Sequence, residues 1–105
     1  MGSDFLDRKG RPLVAVTGMG IVTSLGRGQE ENWSKLVAGQ SGIRQITRFP
    51  TEGLRTTIAG TVDSRTDKPY SAYELACEIT EDVITEALNQ AGLLALESFG
   101  GPLFI

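Results

Sequence analysis

The fold of this chain is decided by residues 14–26, which read VAVTGMGIVTSLG. The β-branched run over Leu13–Thr17 predicts a buried strand, and Gly18, Gly20 and Gly26 punctuate the loop that follows it. A strand that enters a glycine-rich loop before a helix is typical of an α/β fold. Two interpretations compete for this loop: it is either a cradle for a nucleotide or the opening turn of a different α/β scaffold.

The nucleotide interpretation requires three glycines spaced G-x-G-x-x-G, with an acidic residue about 20 positions further on. Gly18 and Gly20 supply the first two glycines, but Thr23 occupies the third position. The candidate acid, Asp63, lies much too far along the chain, and the G-K-S/T signature of a P-loop is absent. The sequence therefore disfavours nucleotide binding. The simpler expectation is that the glycines only permit a tight turn with positive φ.

The composition is that of a globular domain, with 105 residues, 40% hydrophobic and 22% charged, and a net charge of −3. No run approaches the roughly 20 apolar residues of a membrane-spanning helix, and the negative balance argues against a nucleic-acid partner. There is no histidine, so a Cys–His pair or a histidine metal site cannot be built from this chain alone. The single cysteine, Cys77, predicts a reducing, cytoplasmic location.

Two helices and a second strand are predicted downstream of the loop. Residues 29–38 form an amphipathic helix that ends at Gly39, residues 40–55 are irregular, and residues 56–62 form a strand. The longest helix begins at Ser71, where Ser71 and Glu74 make a capping-box pattern, and it ends at Gly92. Residues 1–12 are a polar tail, and the apolar run at 101–105 predicts the start of a third strand.

The second helix has one broad apolar stripe and one acidic face. The stripe is wide enough to predict that the helix is well buried. The acidic face has no lysine or arginine of the same helix to pair with, so we expect it to be solvated, with a basic partner as the alternative. It comprises Glu74, Glu78, Glu81, Asp82 and Glu86.

Three stretches in register resemble the amino-terminal portion of the β-ketoacyl-[acyl-carrier-protein] synthases. They are VTGMGIVTSLG at 16–26, ENWSKLVAGQSGIR at 31–44 and ITRF at 46–49, followed by a strand and a long alanine-bearing helix. The resemblance covers residues 13–105. It implies a thiolase-like α/β fold, a mixed sheet between helices, here truncated after about two βα units and the start of a third strand.

The resemblance also implies an activity. Such synthases condense an acyl group with malonyl-acyl carrier protein, with decarboxylation, in fatty-acid or polyketide biosynthesis. They use a cysteine nucleophile, two histidines and a lysine, and all of these positions are expected beyond Ile105. The chain alone is therefore expected to be inactive and to need no cofactor or metal. The implied partners are acyl carrier protein, the remainder of the synthase and a second subunit of a homodimer.

Individual side chains carry further expectations. Cys77 lies mid-helix among carboxylates, which predicts a packing residue and not the nucleophile. Trp33 is expected in the core. Arg44 and Arg48 are expected to pair locally or be solvated, with contact to an acidic carrier protein as the alternative. The alternative to a synthase segment is a small non-catalytic binding module.

Overall fold

The computed structural model describes residues 5–93, 100–102 and 104. The elements follow in the order β1 (Val22–Thr23), β2 (Gly26–Arg27), α1 (Gln29–Val37), β3 (Ile43–Gln45), β4 (Ile58–Gly60) and α2 (Ala72–Gln90). The strands form two separate antiparallel pairs, β1 with β2 and β3 with β4. Helices and strands are both present, as an α/β class requires. The expected third strand includes residues 103 and 105, which lie outside the described residues.

The segment Leu13–Thr17 is not a strand, so that prediction is wrong for this chain. Val14 and Val16 are 94% and 80% exposed. The nearest pairing is a single antiparallel bridge between Leu6 and Pro12. A β-branched sequence fits a pleated, half-buried surface, but it needs a neighbouring strand to provide that surface. Nothing in the described part of the chain runs beside this segment as a partner strand.

Helix α1 begins just after β2 and confirms the predicted helix to within a residue. Glu30 and Glu31 lie in its first turn and Lys35 in its last, which is the favourable orientation for the helix dipole. Its apolar face is not covered. Trp33 is 68% exposed, so the expectation that it lies in the core is wrong.

The β3–β4 pair lies between the two helices in sequence. Ile43 is opposite Gly60 and Gln45 is opposite Ile58, and the Ile46 amide extends the pairing by donating to the Thr57 carbonyl at 2.8 Å. Strand β4 confirms the core of the predicted strand at 56–62. Strand β3 falls inside a segment predicted to be irregular, because three residues between a glycine and a polar loop make too short a pattern to detect.

Helix α2 has the predicted start and end. The Glu74 amide donates to Ser71 Oγ at 3.1 Å, and the Ser71 amide donates to Glu74 Oε2 at 2.6 Å, which completes the capping box. Gly92 follows the helix with φ 75°. The predicted deep burial is wrong for this chain. Leu75 is the one hydrophobic side chain that is buried within the described residues, and the rest of the stripe is partly exposed. No helix in the part of the chain that the structure describes is long and apolar enough to cross a membrane.

Candidate functional site

The loop that carries Gly18 and Gly20, called the glycine loop below, lies directly against the backbone of α2. A Cβ atom added to Gly18 would lie 2.0 Å from the Ala87 carbonyl oxygen, and one added to Gly20 would lie 1.9 Å from that of Val83. Neither glycine has a positive φ. The expectation of a left-handed turn is therefore wrong for both residues. They are glycines because loop and helix approach too closely for any side chain between them.

Side chains of α2 hold this loop through its backbone amides. Gln90 Oε1 accepts from the Met19 amide at 2.8 Å, and Glu86 Oε1 accepts from the Ile21 amide at 2.9 Å. The second oxygen of Glu86 accepts from the Gln29 amide at 2.9 Å. We call Glu86, Gln90 and the loop amides that they bind the clamp. Gln29 closes it by donating from Nε2 to the Met19 carbonyl at 2.6 Å.

The clamp also starts helix α1. The first residues of a helix have amides without an intrahelical acceptor, and the N-cap here is Gly28, which has no side chain to supply one. Glu86, from a different helix, takes that role through its bond to the Gln29 amide. A carboxylate at this position also interacts favourably with the dipole of α1.

An ion-pair cluster extends the same contact along α2. Arg27 donates from Nη2 to Glu78 Oε1 at 2.7 Å and to the Asp63 carbonyl at 2.6 Å, and it also pairs with Asp82. Arg65 lies 3.2 Å from Asp82 through its Nη2. The expectation of a merely solvated acidic face is therefore wrong for these residues. The basic partner considered as the alternative is provided by this chain's own Arg27 and Arg65.

Glu78 is the most heavily bonded carboxylate of this cluster. Ser64 Oγ donates to its Oε2 at 2.6 Å, and the Arg65 amide donates to its Oε1 at 2.8 Å. These two hydrogen bonds, assisted by the positive charges of Arg27 and Arg65, lower the pKa of Glu78 below its ordinary value. The cluster therefore holds Glu78 in its charged form.

Asn32, a residue of α1, binds the hairpin that β1 and β2 form. Its side chain is buried, at 7% exposure, and its Nδ2 donates to the carbonyls of Gly26 and Gly28 at 2.9 and 2.8 Å. Its Oδ1 accepts from the hydroxyl of Thr23. Buried polar groups are stable only when bonded in this way. No sequence signal marks this role, because an asparagine inside a helix looks like any other polar surface residue.

These contacts argue against nucleotide binding at the glycine loop. A phosphate cradle needs free loop amides and an open helix N-terminus. Here the amides of Met19, Ile21 and Gln29 are all occupied by α2, and the carboxylate of Glu86 lies at the start of α1 where a phosphate would bind. A fixed negative charge at that point repels an anionic ligand. The geometry of the loop thus serves packing and does not form a nucleotide site.

Comparison with known proteins identifies the family. Residues 12–98 match the model of the β-ketoacyl synthase N-terminal domain. The chain belongs to the β-ketoacyl synthase family. It is 37% identical over 87 residues to 3-oxoacyl-[acyl-carrier-protein] synthase 2 of Vibrio cholerae serotype O1, a match that covers 83% of this chain and 20% of that protein.

Other relatives of this synthase segment come from different pathways and compartments. The ketoacyl synthase beta subunit of the tetracenomycin polyketide synthase of Streptomyces glaucescens is 35% identical over 86 residues, 80% of this chain and 19% of the relative. The chloroplastic 3-oxoacyl-[acyl-carrier-protein] synthase II of Arabidopsis thaliana is 40% identical over 63 residues, 60% of this chain and 12% of the relative. The chain spans about a fifth of the length of the first of these relatives. No solved structure gives a significant match.

Cys77 of this synthase segment is exposed on α2, so the expectation that it packs in the interior is wrong here. Its side chain forms a hydrogen bond with Tyr73, which raises the pKa of the Tyr73 hydroxyl above its ordinary value. The chain has no histidine to place beside the thiol. That Cys77 is not the nucleophile stays a prediction. Within the described ranges no group of three or more histidine, cysteine or acidic residues could hold a metal ion.

Arg44 and Arg48 are both engaged by the loop that follows β4. Arg44 donates to the Thr61 carbonyl at 2.8 Å and lies 3.2 Å from Asp63. Arg48 donates to the Val62 carbonyl at 2.5 Å, and its guanidinium lies 5.5 Å from the centre of the Tyr70 ring. The expectation of local pairing is confirmed. Sequence reasoning identifies these two arginines as candidates but does not single out Arg27, Gln90 or Asn32, which make the contacts that order the loop.

Proposed function

We propose that this chain is the N-terminal framework of a β-ketoacyl-[acyl-carrier-protein] synthase and contributes no catalytic group of its own. The observation that carries the proposal is the match of residues 12–98 to the N-terminal domain of that family. The reaction is the decarboxylating condensation of an acyl group with malonyl-acyl carrier protein. We propose that it serves fatty-acid or polyketide biosynthesis; a 3-oxoacyl-[acyl-carrier-protein] synthase among the relatives supports the first, and the tetracenomycin relative supports the second.

The chemistry of the described side chains supports a framework role. The polar groups around the glycine loop bind one another. The side-chain oxygens of Glu86 and Gln90 accept hydrogen bonds from loop amides. The carboxylate of Glu78 accepts hydrogen bonds from Ser64, Arg65 and Arg27. Nucleophilic catalysis needs a nucleophile beside a base, and this chain has no histidine. We therefore propose that the cysteine nucleophile, the two histidines and the lysine of the family are supplied by residues outside these 105.

The proposed partners follow from the family reaction. Acyl carrier protein carries the malonyl substrate, and the other parts of the synthase supply the reaction centre. Homodimerisation, a thiolase-like mixed sheet between helices and a cytoplasmic location are further proposals that rest on the resemblance. The local pairing of Arg44 and Arg48 makes them poor candidates for the carrier-protein contact, since their guanidinium groups already bind backbone carbonyls.

A chimeric enzyme tests this function. In this chimera, residues 12–98 replace the matched segment of the Vibrio cholerae synthase, and the assay measures carbon dioxide release and β-ketoacyl product. A framework segment should keep the condensation rate within about tenfold of the parent, a loss of only about 1.4 kcal/mol of transition-state stabilisation. A folded chimera without activity contradicts the proposal.

The matched control is the same chimera with Cys77→Ala. Because Cys77 lies on the exposed surface of α2, this change should leave the condensation rate unaltered. A folded Cys77→Ala chimera that loses activity would show that this chain does provide a catalytic thiol. The two variants together separate the framework role from a direct part in the chemistry.

A further inference from the structure

Residues 5–13 form a short hairpin, called the N-terminal hairpin below, whose turn precedes the segment that the family matches. Leu6 and Pro12 form an antiparallel bridge, and the Leu13 amide donates to the Phe5 carbonyl at 2.8 Å. The family match begins at residue 12, so the turn at 7–11 lies outside it. The framework role proposed for the matched segment therefore does not account for this turn.

The side chain of Asp7 fixes the shape of the turn. Its Oδ1 accepts from the amides of Lys9 and Arg11 at 2.8 and 2.9 Å, and its Oδ2 accepts from Arg11 Nε at 2.7 Å. Gly10 has φ 74°, which is the left-handed conformation that glycine adopts most readily. A turn that is already ordered loses little conformational freedom when a partner binds to it. The hairpin is therefore suited to present its side chains to another molecule.

The turn presents positive charge on a chain that is otherwise negative. Arg8, Lys9 and Arg11 are exposed, and together with Asp7 they give the N-terminal hairpin a net charge of +2. The chain as a whole carries −3, so all its other residues together carry −5. Among the described residues Arg8 and Lys9 form no ion pair, whereas Arg11 pairs with Asp7. An acidic partner would therefore be repelled by most of the chain and attracted to this turn.

The amount of charge favours a transient protein contact over a lipid surface. Anionic lipids are typically recognised by clusters of about four to eight basic residues. The N-terminal hairpin has three, and one of them is paired with Asp7. A protein that must arrive and leave in each catalytic cycle needs only a small contact, and complementary charge at such a contact speeds its arrival.

We propose that the N-terminal hairpin attracts the acidic acyl carrier protein to this chain through Arg8 and Lys9. The inference rests on the proposed function and names the surface at which its carrier protein docks. Arg44 and Arg48 are less suited to this contact, because their guanidinium groups bind backbone carbonyls. A docking contact outside the reaction centre stabilises the bound substrate and the transition state equally. It therefore lowers KM for the carrier-bound substrate and leaves kcat unchanged.

Steady-state kinetics of the chimera defined above, extended at its N-terminus to residue 5, test the proposal. The varied substrate is malonyl-acyl carrier protein from Vibrio cholerae. At about 20 mM salt, the double variant Arg8→Glu/Lys9→Glu should raise KM about fivefold, which corresponds to about 1 kcal/mol, and leave kcat unchanged. At about 0.5 M salt the difference should fall below about twofold, because the screening length shrinks from about 20 Å to about 4 Å.

Two further variants serve as matched controls. Arg55→Glu/Lys68→Glu changes the net charge by the same amount at exposed positions outside the hairpin, so it should change KM by less than about twofold. Arg8→Lys/Lys9→Arg exchanges the two side chains but keeps both charges. It should therefore retain the KM of the unsubstituted chimera.

Each outcome either supports or overturns the docking assignment. A rise in KM that is confined to Arg8→Glu/Lys9→Glu and is removed by salt supports it. Equal rises in both charge-reversal variants show that net charge sets KM, and they overturn it. An active chimera whose KM does not change, or whose kcat falls instead, also overturns it and leaves the proposed function intact, whereas an inactive folded chimera counts against the function itself.

A lipid partner is distinguished by a separate measurement on the same variants. The extended chimera is sedimented with vesicles of phosphatidylcholine that contain phosphatidylserine. Binding that is lost in Arg8→Glu/Lys9→Glu, together with an unchanged KM, identifies an anionic lipid surface as the partner and overturns the carrier-protein assignment.

Discussion

Gly20→Ala should detach the glycine loop from α2. The added methyl carbon would lie 1.9 Å from the Val83 carbonyl oxygen and 2.6 Å from its carbon. Ordinary van der Waals contact begins near 3.4 Å, so loop and helix must separate by at least about 1.5 Å. Neither atom belongs to a flexible side chain, so the separation cannot be relieved by a rotamer change.

The magnitude combines steric overlap with the hydrogen bonds that the separation breaks. Overpacking of this kind costs about 1–3 kcal/mol. The same separation breaks the bonds from the Met19 and Ile21 amides to α2, which are 2.8 and 2.9 Å long, at about 1 kcal/mol each. The total is about 3–5 kcal/mol. A loss of 3 kcal/mol corresponds to local opening that is roughly a hundredfold more frequent.

The assay is amide hydrogen exchange of the loop peptides in the chimera. Exchange of the Met19 and Ile21 amides should accelerate roughly a hundredfold in Gly20→Ala. Gly60→Ala is the matched control: its added carbon would meet only side chains, the nearest being the Ser24 hydroxyl at 3.1 Å, which can rotate away, and β4 tolerates alanine. If Gly20→Ala and Gly60→Ala give the same exchange at the loop, the close approach of loop and helix is refuted.

Three further predictions concern the side chains around the loop. Glu86→Ala should weaken the clamp by about 2 kcal/mol, because two amides lose their acceptor. Amide hydrogen exchange at the start of α1 should therefore accelerate. Glu81→Ala is the control and should leave this exchange unchanged, because the Glu81 carboxylate makes only a 3.8 Å contact with Arg65. Equal exchange in the two variants would refute the role of Glu86 as the cap of α1. Asn32→Ala should cost about 2–3 kcal/mol, because the Gly26 carbonyl loses its Nδ2 donor and the Thr23 hydroxyl loses its acceptor next to a small void, whereas the Gly28 carbonyl keeps its bond from the backbone amide of residue 32. Urea unfolding of the chimera measures this loss. If Asn32→Ala lowers the free energy of unfolding by no more than Glu81→Ala does, the prediction is contradicted. Glu78 has a lowered pKa, so its stabilisation is complete above its ordinary pKa of 4.5 and is lost as the pH falls through the lower folded value. An acid titration of the chimera should therefore show a shallower loss of stability in Glu78→Gln than in the unsubstituted chimera, and parallel curves would refute the ion cluster.

The sequence predicts best those features that depend on neighbours along the chain. The start of α2 is an example, since Ser71 and Glu74 bind each other's backbone within one turn and need nothing else. The end of the helix at Gly92 is equally local. The strand at Leu13–Thr17 shows the opposite case. Its residues have the side chains that strands prefer, but pairing requires two segments, and the described part of this chain provides one of them.

The clamp was beyond sequence reasoning for a different physical reason. Glu86 and the Ile21 amide are 65 positions apart, and Gln90 and the Met19 amide are 71 apart, so no periodicity connects them. Gly18 and Gly20 did carry a signal, but glycine is required both by left-handed turns and by close backbone approach. Only the position of α2 distinguishes the two. The family resemblance, in contrast, depended on many ordinary residues in register and was confirmed.

The spacing of the contacts along α2 has a consequence for how this segment can vary in length. Glu78, Asp82, Glu86 and Gln90 recur every four residues and face one side of the helix. Deleting one residue among them would rotate the remaining contacts by about 100° and shift them by about 1.5 Å. Arg27 and the loop amides would then meet the wrong face. The number of residues between these contacts on α2 is therefore fixed. Insertions should be tolerated in the stretch between β3 and β4 at 46–57, because it has few such long-range bonds.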